Sequence, residues 1–223
     1  MATFSIKEKF GKSIQQIWDN DDYNSIEIKK WGYASQDEIE RNSLMFIGIN
    51  PSNPNSDEWS DFYNNIQERT EETHRYFNKF IEISKKAGLL WSHIDLLFVR
   101  WTNQKEVEQL ISNEKGVRFL WEQLLISKKI IEEARPKIIV VNNSFARTLL
   151  GFDKYEKKGK LENVWLGFEF EFDENLGIHK ITNNEILNAT PVFFTSMLTG
   201  QRALDKGSFE RLKWHINYVK NKL

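Results

Sequence analysis

Leu44-Met45-Phe46-Ile47-Gly48-Ile49-Asn50-Pro51-Ser52 is the stretch on which the reading of this chain turns. From Leu44 to Ile49 every residue is apolar or glycine, a run too short for a helix and suited to a strand buried on both faces. It stops at Asn50. Pro51 has no N–H for a neighbouring strand and biases the residue before it to extended backbone, so Asn50 is the last strand-like position. In an open parallel sheet, ligands gather beyond the carboxyl ends of the strands. A polar Asn50 held there by Pro51 is therefore a candidate site residue, although Asn-Pro-Ser is also an ordinary turn.

Working outward, similar runs recur. Lys137 to Val141 ends in Asn142-Asn143-Ser144, Val192 to Thr195 ends in Ser196, and His93 to Val99 ends at Arg100. Between them lie helical patterns over Phe4 to Asn20, Thr73 to Ala87, Gln104 to Ile111 and Glu114 to Ala134. The last of these places Val117, Leu120, Trp121, Leu124, Leu125 and Ile131 on its inner face. A short helix through Leu150 and a final one carrying Phe209, Leu212, Ile216 and Val219 complete the set. Trp31 to Asn42 is read as a short helix before the first strand. Strands alternating with helices give an α/β fold with a mainly parallel four-stranded sheet. Residues 164–181 differ, because Phe168, Phe170 and Phe172 alternate with Glu169, Glu171 and Asp173. That is an inserted β-hairpin with one wet face. The expectation is a single domain over 1–223, with an N-terminal helical extension (1–42) and a long acidic loop (53–73).

The charge of −1 over 223 residues gives no global field for polyanions, but its distribution is uneven. Residues 200–223 carry six cations, among them Arg202 and Lys206, against Asp205 and Glu210. Residues 53–73 carry six acids against Arg69. Without cysteine, disulfides, iron–sulfur clusters and thiolate zinc are excluded. The four histidines have no metal-ligand spacing, so neither metal nor cofactor is expected. The absence of a leader or a membrane-length apolar run fits a cytoplasmic, monomeric protein.

The strand ends bring Asn50, Asn142, Asn143 and Ser196 to one edge. Amides both donate and accept, which suits reading the edge of a planar heterocycle; capping of following helices is the alternative, favoured for Ser144. Ser196-Met197-Leu198-Thr199-Gly200-Gln201-Arg202 runs from apolar to small to cationic, the composition of a wedge that enters a base stack while Arg202 holds a phosphate. Met197 and Leu198 also suit a core. Phe62 or Tyr63 in the polar loop can stack on a flat ligand. No Gly-rich phosphate loop is present, and Ser196 has no His-Asp partnership.

These motifs resemble the uracil-DNA glycosylase superfamily, most closely its mismatch-specific branch. Gly48-Ile49-Asn50-Pro51-Ser52 is similar to that branch's Gly-Ile-Asn-Pro-Gly first motif, and His74 to Leu89 to the helix after it. Ser196 to Gly200 falls where the family carries its second motif, with Thr195-Ser196-Met197 in place of His-Pro-Ser or Asn-Pro-Ser. The resemblance implies a three-layer α/β/α domain and a DNA glycosylase-like hydrolase that flips out and excises a damaged, mismatched or modified base. Asn50 would position the attacking water. Ile49, Pro51, Ser52, Phe62 or Tyr63, Asn142 and Asn143 would hold the base, and Ser196, Met197, Leu198 and Arg202 would serve as second motif, wedge and phosphate clamp. Lacking the family's histidine for the departing base, the chain is expected to be slow on plain uracil. DNA would meet the basic C-terminal side. The alternatives are a non-catalytic nucleic-acid or base-binding protein and an enzyme of free nucleobases or nucleosides.

Overall fold

The computed structural model describes residues 2–53, 60–64, 75–200 and 203–223. Six strands form one mixed sheet: β1 (Leu44–Gly48), β2 (Trp91–Asp95), β3 (Ile138–Val141), β4 (Phe170–Asp173), β5 (Ile178–Ile181) and β6 (Pro191–Phe194). Their spatial order is β4-β5-β6-β3-β1-β2. The apolar runs β6, β3, β1 and β2 are mutually parallel, while β5 is antiparallel to both β6 and β4. The hairpin expected as a separate insertion thus extends the sheet from four strands to six. A second hairpin, Tyr155–Lys157 with Lys160–Glu162, is exposed.

Among the described residues six α-helices accompany the sheet: α1 (Ile6–Asp19), α2 (Asn78–Ala87), α3 (Gln104–Gln109), α4 (Glu114–Ala134), α5 (Ser144–Leu150) and α6 (Lys206–Lys220). Strand side chains alternate between faces, and the two faces build separate cores. Leu44, Phe46, Ile138, Val140 and Phe193 pack with Phe80 and Ile83 of α2 and Phe209 and Ile216 of α6. Met45, Ile47, Ile139, Val141 and Val192 pack with α1, α4 and α5. The stripe of α4 runs through Phe119, Leu120, Leu124, Ile130 and Ile131, leaving Trp121 and Leu125 exposed where an inner face was expected.

The N-terminal region belongs to the core. Ser5 caps α1 by accepting from the Glu8 N–H, and Ile6, Ile14, Ile17 and Trp18 are buried with α4. Trp31 to Asn42 is not a helix. A 3-10 turn (Glu27–Trp31) ends at Gly32, whose φ of 81° lies in the left-handed region, and strands Gly32–Gln36 and Glu38–Glu40 follow. The first pairs in parallel with Ser60–Asn64, a strand inside the loop expected at 53–73. The rest of that loop, 54–59 and 65–74, lies outside the described residues. Among the described residues no helix is long and apolar enough to cross a membrane.

β2 ends at Asp95, four residues before the apolar run does. The chain continues through Leu96–Val99, buried, and most of its backbone groups find partners outside the sheet. Leu96 and Leu97 donate to the carbonyls of Gly48 and Ile49. Gln123, fully buried on α4, accepts from the N–H groups of Phe98 (2.8 Å) and Val99 (3.1 Å) and donates to the Phe119 carbonyl. Ser127 donates to Leu96 O at 2.7 Å. Gln123→Leu keeps the volume and strands two backbone donors, which at about 1–3 kcal/mol each predicts a loss of roughly 2–6 kcal/mol. Urea unfolding midpoints measure it, and a shift below about 0.5 kcal/mol would mean that the two N–H groups find other acceptors.

Candidate functional site

A cavity of about 1070 Å³ opens at the carboxyl end of the parallel strands. Its walls come from the end of β1 (Gly48 to Ser52), from Asp95, Asn142 and Asn143 on the neighbouring strand ends, from Gln36 and Phe62, from Arg75 to Lys79 and from Met197 to Gly200. The topology explains the convergence. In parallel strands every carboxyl end lies on one edge, and β1 is flanked there by β3 and β2.

Register places the central groups. Gly48 of β1 lies opposite Asp95 of β2, and Ile47 lies opposite Val141, so Asn142 falls beside Gly48 with its N–H donating to Ile47 O. Asn142, Gly48 and Asp95 thus form one row across three strands, on one face. The row needs glycine at its centre, because a Cβ on Gly48 would collide with Asp95 Oδ1 and approach His93 Nε2 to 3.2 Å.

Asn50 is held from behind. Its Nδ2 donates among the carbonyls of Pro51 (3.0 Å), Val99 (3.2 Å) and Trp101 (2.6 Å). Three acceptors around that atom fix which end of the amide it is. Oδ1 is thereby left over, buried and without a partner among the described residues. Asn142 is similar. Its amide hydrogen-bonds the Tyr76 hydroxyl in the sense that lowers the phenol pKa, while burial and the nearby Asp95 carboxylate raise it more strongly. Asn142 Oδ1 is also buried and without a partner.

Asp95 had escaped the sequence reading. Its side chain is 16% exposed, and burial pushes its carboxyl pKa up from 3.8 to about 7, with no offsetting hydrogen bond. His93, one residue pair back on the same face, is buried among Tyr76, Phe77 and Phe80, and burial drives its pKa down to about 3. The two side chains approach to 3.7 Å, but they are not an ion pair. By the pH at which His93 gains a proton, Asp95 has long been neutral.

Other expected residues divide. Phe62 lines the cavity, with the Arg100 guanidinium 4.8 Å from its ring centroid; that guanidinium also bonds Trp31 O and Asn53 Oδ1. Tyr63, next along the strand, turns the other way onto Tyr33. Asn143 lines the cavity, but its Oδ1 caps α5 by accepting from Phe145 and Ala146, and its Nδ2 donates to Gln104. It, rather than Ser144, is the N-cap. Ile49, Pro51 and Ser52 line the wall. Met197 is half-buried at the cavity, whereas Leu198, 3% exposed, belongs to the core with Phe209 and would have to leave it to act as a wedge. The segment is closed by Leu204 N–H donating to Met197 O, and Gly200 sits at φ 90°. Ser196 is exposed and outside the cavity wall. Arg202 lies outside the described residues.

Comparison with family models, curated proteins and solved structures finds no match. The chemistry of the site must therefore be read from its own atoms. Among the described residues no group of three or more His, Asp or Glu side chains is placed to hold a metal ion. The inner wall offers oxygen acceptors (Gln36, Asn50, Asp95, Asn142), while Arg75, exposed, and Lys79 bring cations. Sequence reading had no signal for Gln36 or Arg75. For Asp95 there was one, a lone carboxylate within an apolar run.

Proposed function

We propose that this chain is a DNA glycosylase-like hydrolase, a three-layer α/β/α domain that takes a flipped-out base into the cavity beside Asn50 and hydrolyses its bond to the sugar. The observation that carries this reading is that Asn50, with a rigidly held amide and an unused Oδ1, shares one cavity with the Met197–Gly200 segment. Asn50 Oδ1 would accept a hydrogen bond from the attacking water. That water's oxygen bonds to the sugar carbon as the N-glycosidic pair departs with the base, and the proton lost by the water ends on the base or in solvent. An amide orients water without taking its proton, so turnover is slow. Phe62 and Tyr76 supply ring surface for stacking, and Met197 is the side chain available to fill the vacated stack. Arg75, Lys79 and the basic C-terminal segment would meet phosphates, as would the first turn of α2, which has no side-chain cap. Ser196 takes no part in this chemistry.

The test is release of base from oligonucleotides bearing uracil, mismatches and modified bases, scored as alkali-labile abasic sites. Asn50→Ala is expected to lower release about 10²–10³-fold, the scale for one oriented polar group in an active site. Binding that falls with salt but releases no base from any substrate would make the chain a binding module instead. Release confined to free nucleosides, insensitive to salt, would remove DNA from the reading.

A further inference from the structure

Beside the one unpaired N–H of neutral His93, the inner wall of the cavity offers mainly unused acceptors. Asn50 Oδ1, Asn142 Oδ1 and Gln36 Oε1 have no partner among the described residues, and no hydrogen bond offsets the burial of the Asp95 carboxyl. Two of these residues are at least nine-tenths buried, Asn142 at 4% exposure and Gln36 at 9%. The orientation of the two asparagine amides is not arbitrary. Asn50 turns its N–H groups on three backbone carbonyls, and Asn142 hydrogen-bonds the Tyr76 hydroxyl, so each presents oxygen as its remaining group. Asn142 and Asp95 stand on one face in one row, separated only by Gly48. Asp95 Oδ1 occupies the space that a side chain on Gly48 would need.

A ligand edge that suits this wall brings N–H groups, because an oxygen set against these oxygens leaves both without a donor. Uracil and thymine carry two carbonyl oxygens around a single N–H. Cytosine, adenine and guanine each carry an exocyclic amino group, and guanine adds a ring N–H next to it. We infer that the cavity selects a base bearing an exocyclic amino group, read by the Asp95 carboxylate and Asn142 Oδ1. This rests on the nucleobase reading above and names its substrate class. Asp95 is then a specificity residue for the base edge, while Asn50 acts on the water.

The experiment is calorimetric binding of the deoxynucleosides of cytosine, adenine, guanine, uracil and thymine to the full chain, beside the oligonucleotide release assay with the same bases. An amino-bearing base should bind at least tenfold more tightly than uracil or thymine. With binding measured at pH 8, where Asp95 is mainly carboxylate, Asp95→Asn, which puts N–H donors where acceptors stood, should shrink that preference to within about threefold by strengthening uracil binding. Asn142→Leu, which removes the second acceptor and leaves Asp95 alone, should weaken the amino-bearing base and leave uracil unchanged. Uracil or thymine binding as tightly as the amino-bearing bases overturns the inference while the nucleobase reading stands. An Asp95→Asn variant that loses release of every base equally, with its binding preference intact, also overturns it, since Asp95 would then serve proton transfer. If no base binds and none is released, the inference and the reading beneath it fall together.

Discussion

Asn50→Asp is expected to lose base release and to unfold more easily than the wild type by roughly 2–6 kcal/mol, although on paper it adds the proton acceptor that an asparagine lacks. The reason is what surrounds the side chain. The Asn50 amide nitrogen lies among three carbonyl oxygens, of Pro51, Val99 and Trp101. A carboxylate there would set a fourth oxygen against them, and a protonated carboxyl has one hydrogen for three acceptors. The variant is expected to respond by protonating or by turning away from Val99, and either way the water-binding geometry goes. Guanidinium unfolding and base-release rates measured on the same samples test this. A stable Asn50→Asp protein with faster release would show that the three carbonyls do not hold residue 50, and the account of its role would go with them.

Asp95→Asn is expected to change how stability depends on pH, because it removes one of two opposing titrations in the cavity. In the folded chain Asp95 titrates near 7, above its value of 3.8 when free, so the folded state holds a proton that the unfolded state has lost. Alone, that makes stability fall as pH rises from about 4 to 7, by about 4 kcal/mol in all. His93 has the opposite sign. Its folded value of about 3 lies below 6.5, the unfolded state binds the extra proton, and alone it makes stability rise from pH 3 to 6.5. Over the shared window the folded pair carries one proton on Asp95, and the unfolded pair carries one on histidine. The counts match, so this pair contributes an almost flat profile. Removing Asp95 exposes the histidine term. Relative to wild type, Asp95→Asn should be about 4 kcal/mol more stable at pH 8 but only about 1 kcal/mol more stable at pH 4.5. Denaturant titrations at the two pH values decide it, and parallel profiles for the two proteins would show that Asp95 is not buried as described.

The strands of the parallel core and their polar ends were legible because they are short apolar runs bounded by Pro51, Asn142 and Ser196. The end of β2 was not. His93 to Val99 reads as one run, yet the strand stops at Asp95 because Leu96–Val99 is held by Gln123, Ser127 and Asn50, groups distant in sequence that no local period can reveal. The misplaced boundary is why Arg100, which supports Phe62, looked like the strand-end group and Asp95 did not. Pairing of Gly32–Gln36 with Ser60–Asn64 was hidden for a similar reason: five mixed residues in a polar stretch carry no alternation that distinguishes a strand from a loop. The amphipathic hairpin at 164–181 was legible as a hairpin, but its antiparallel docking on β6 is a tertiary choice.

Val99 links two parts of the molecule that share no other purpose. Its N–H is taken by Gln123 on a core helix, and its carbonyl receives the Asn50 amide. Whatever chemistry selection maintains at Asn50 should therefore also maintain a glutamine in the midst of the hydrocarbon stripe of α4. In a set of diverged descendants the two positions should change together or not at all, and a survey confined to the residues that could touch a ligand would overlook one of them.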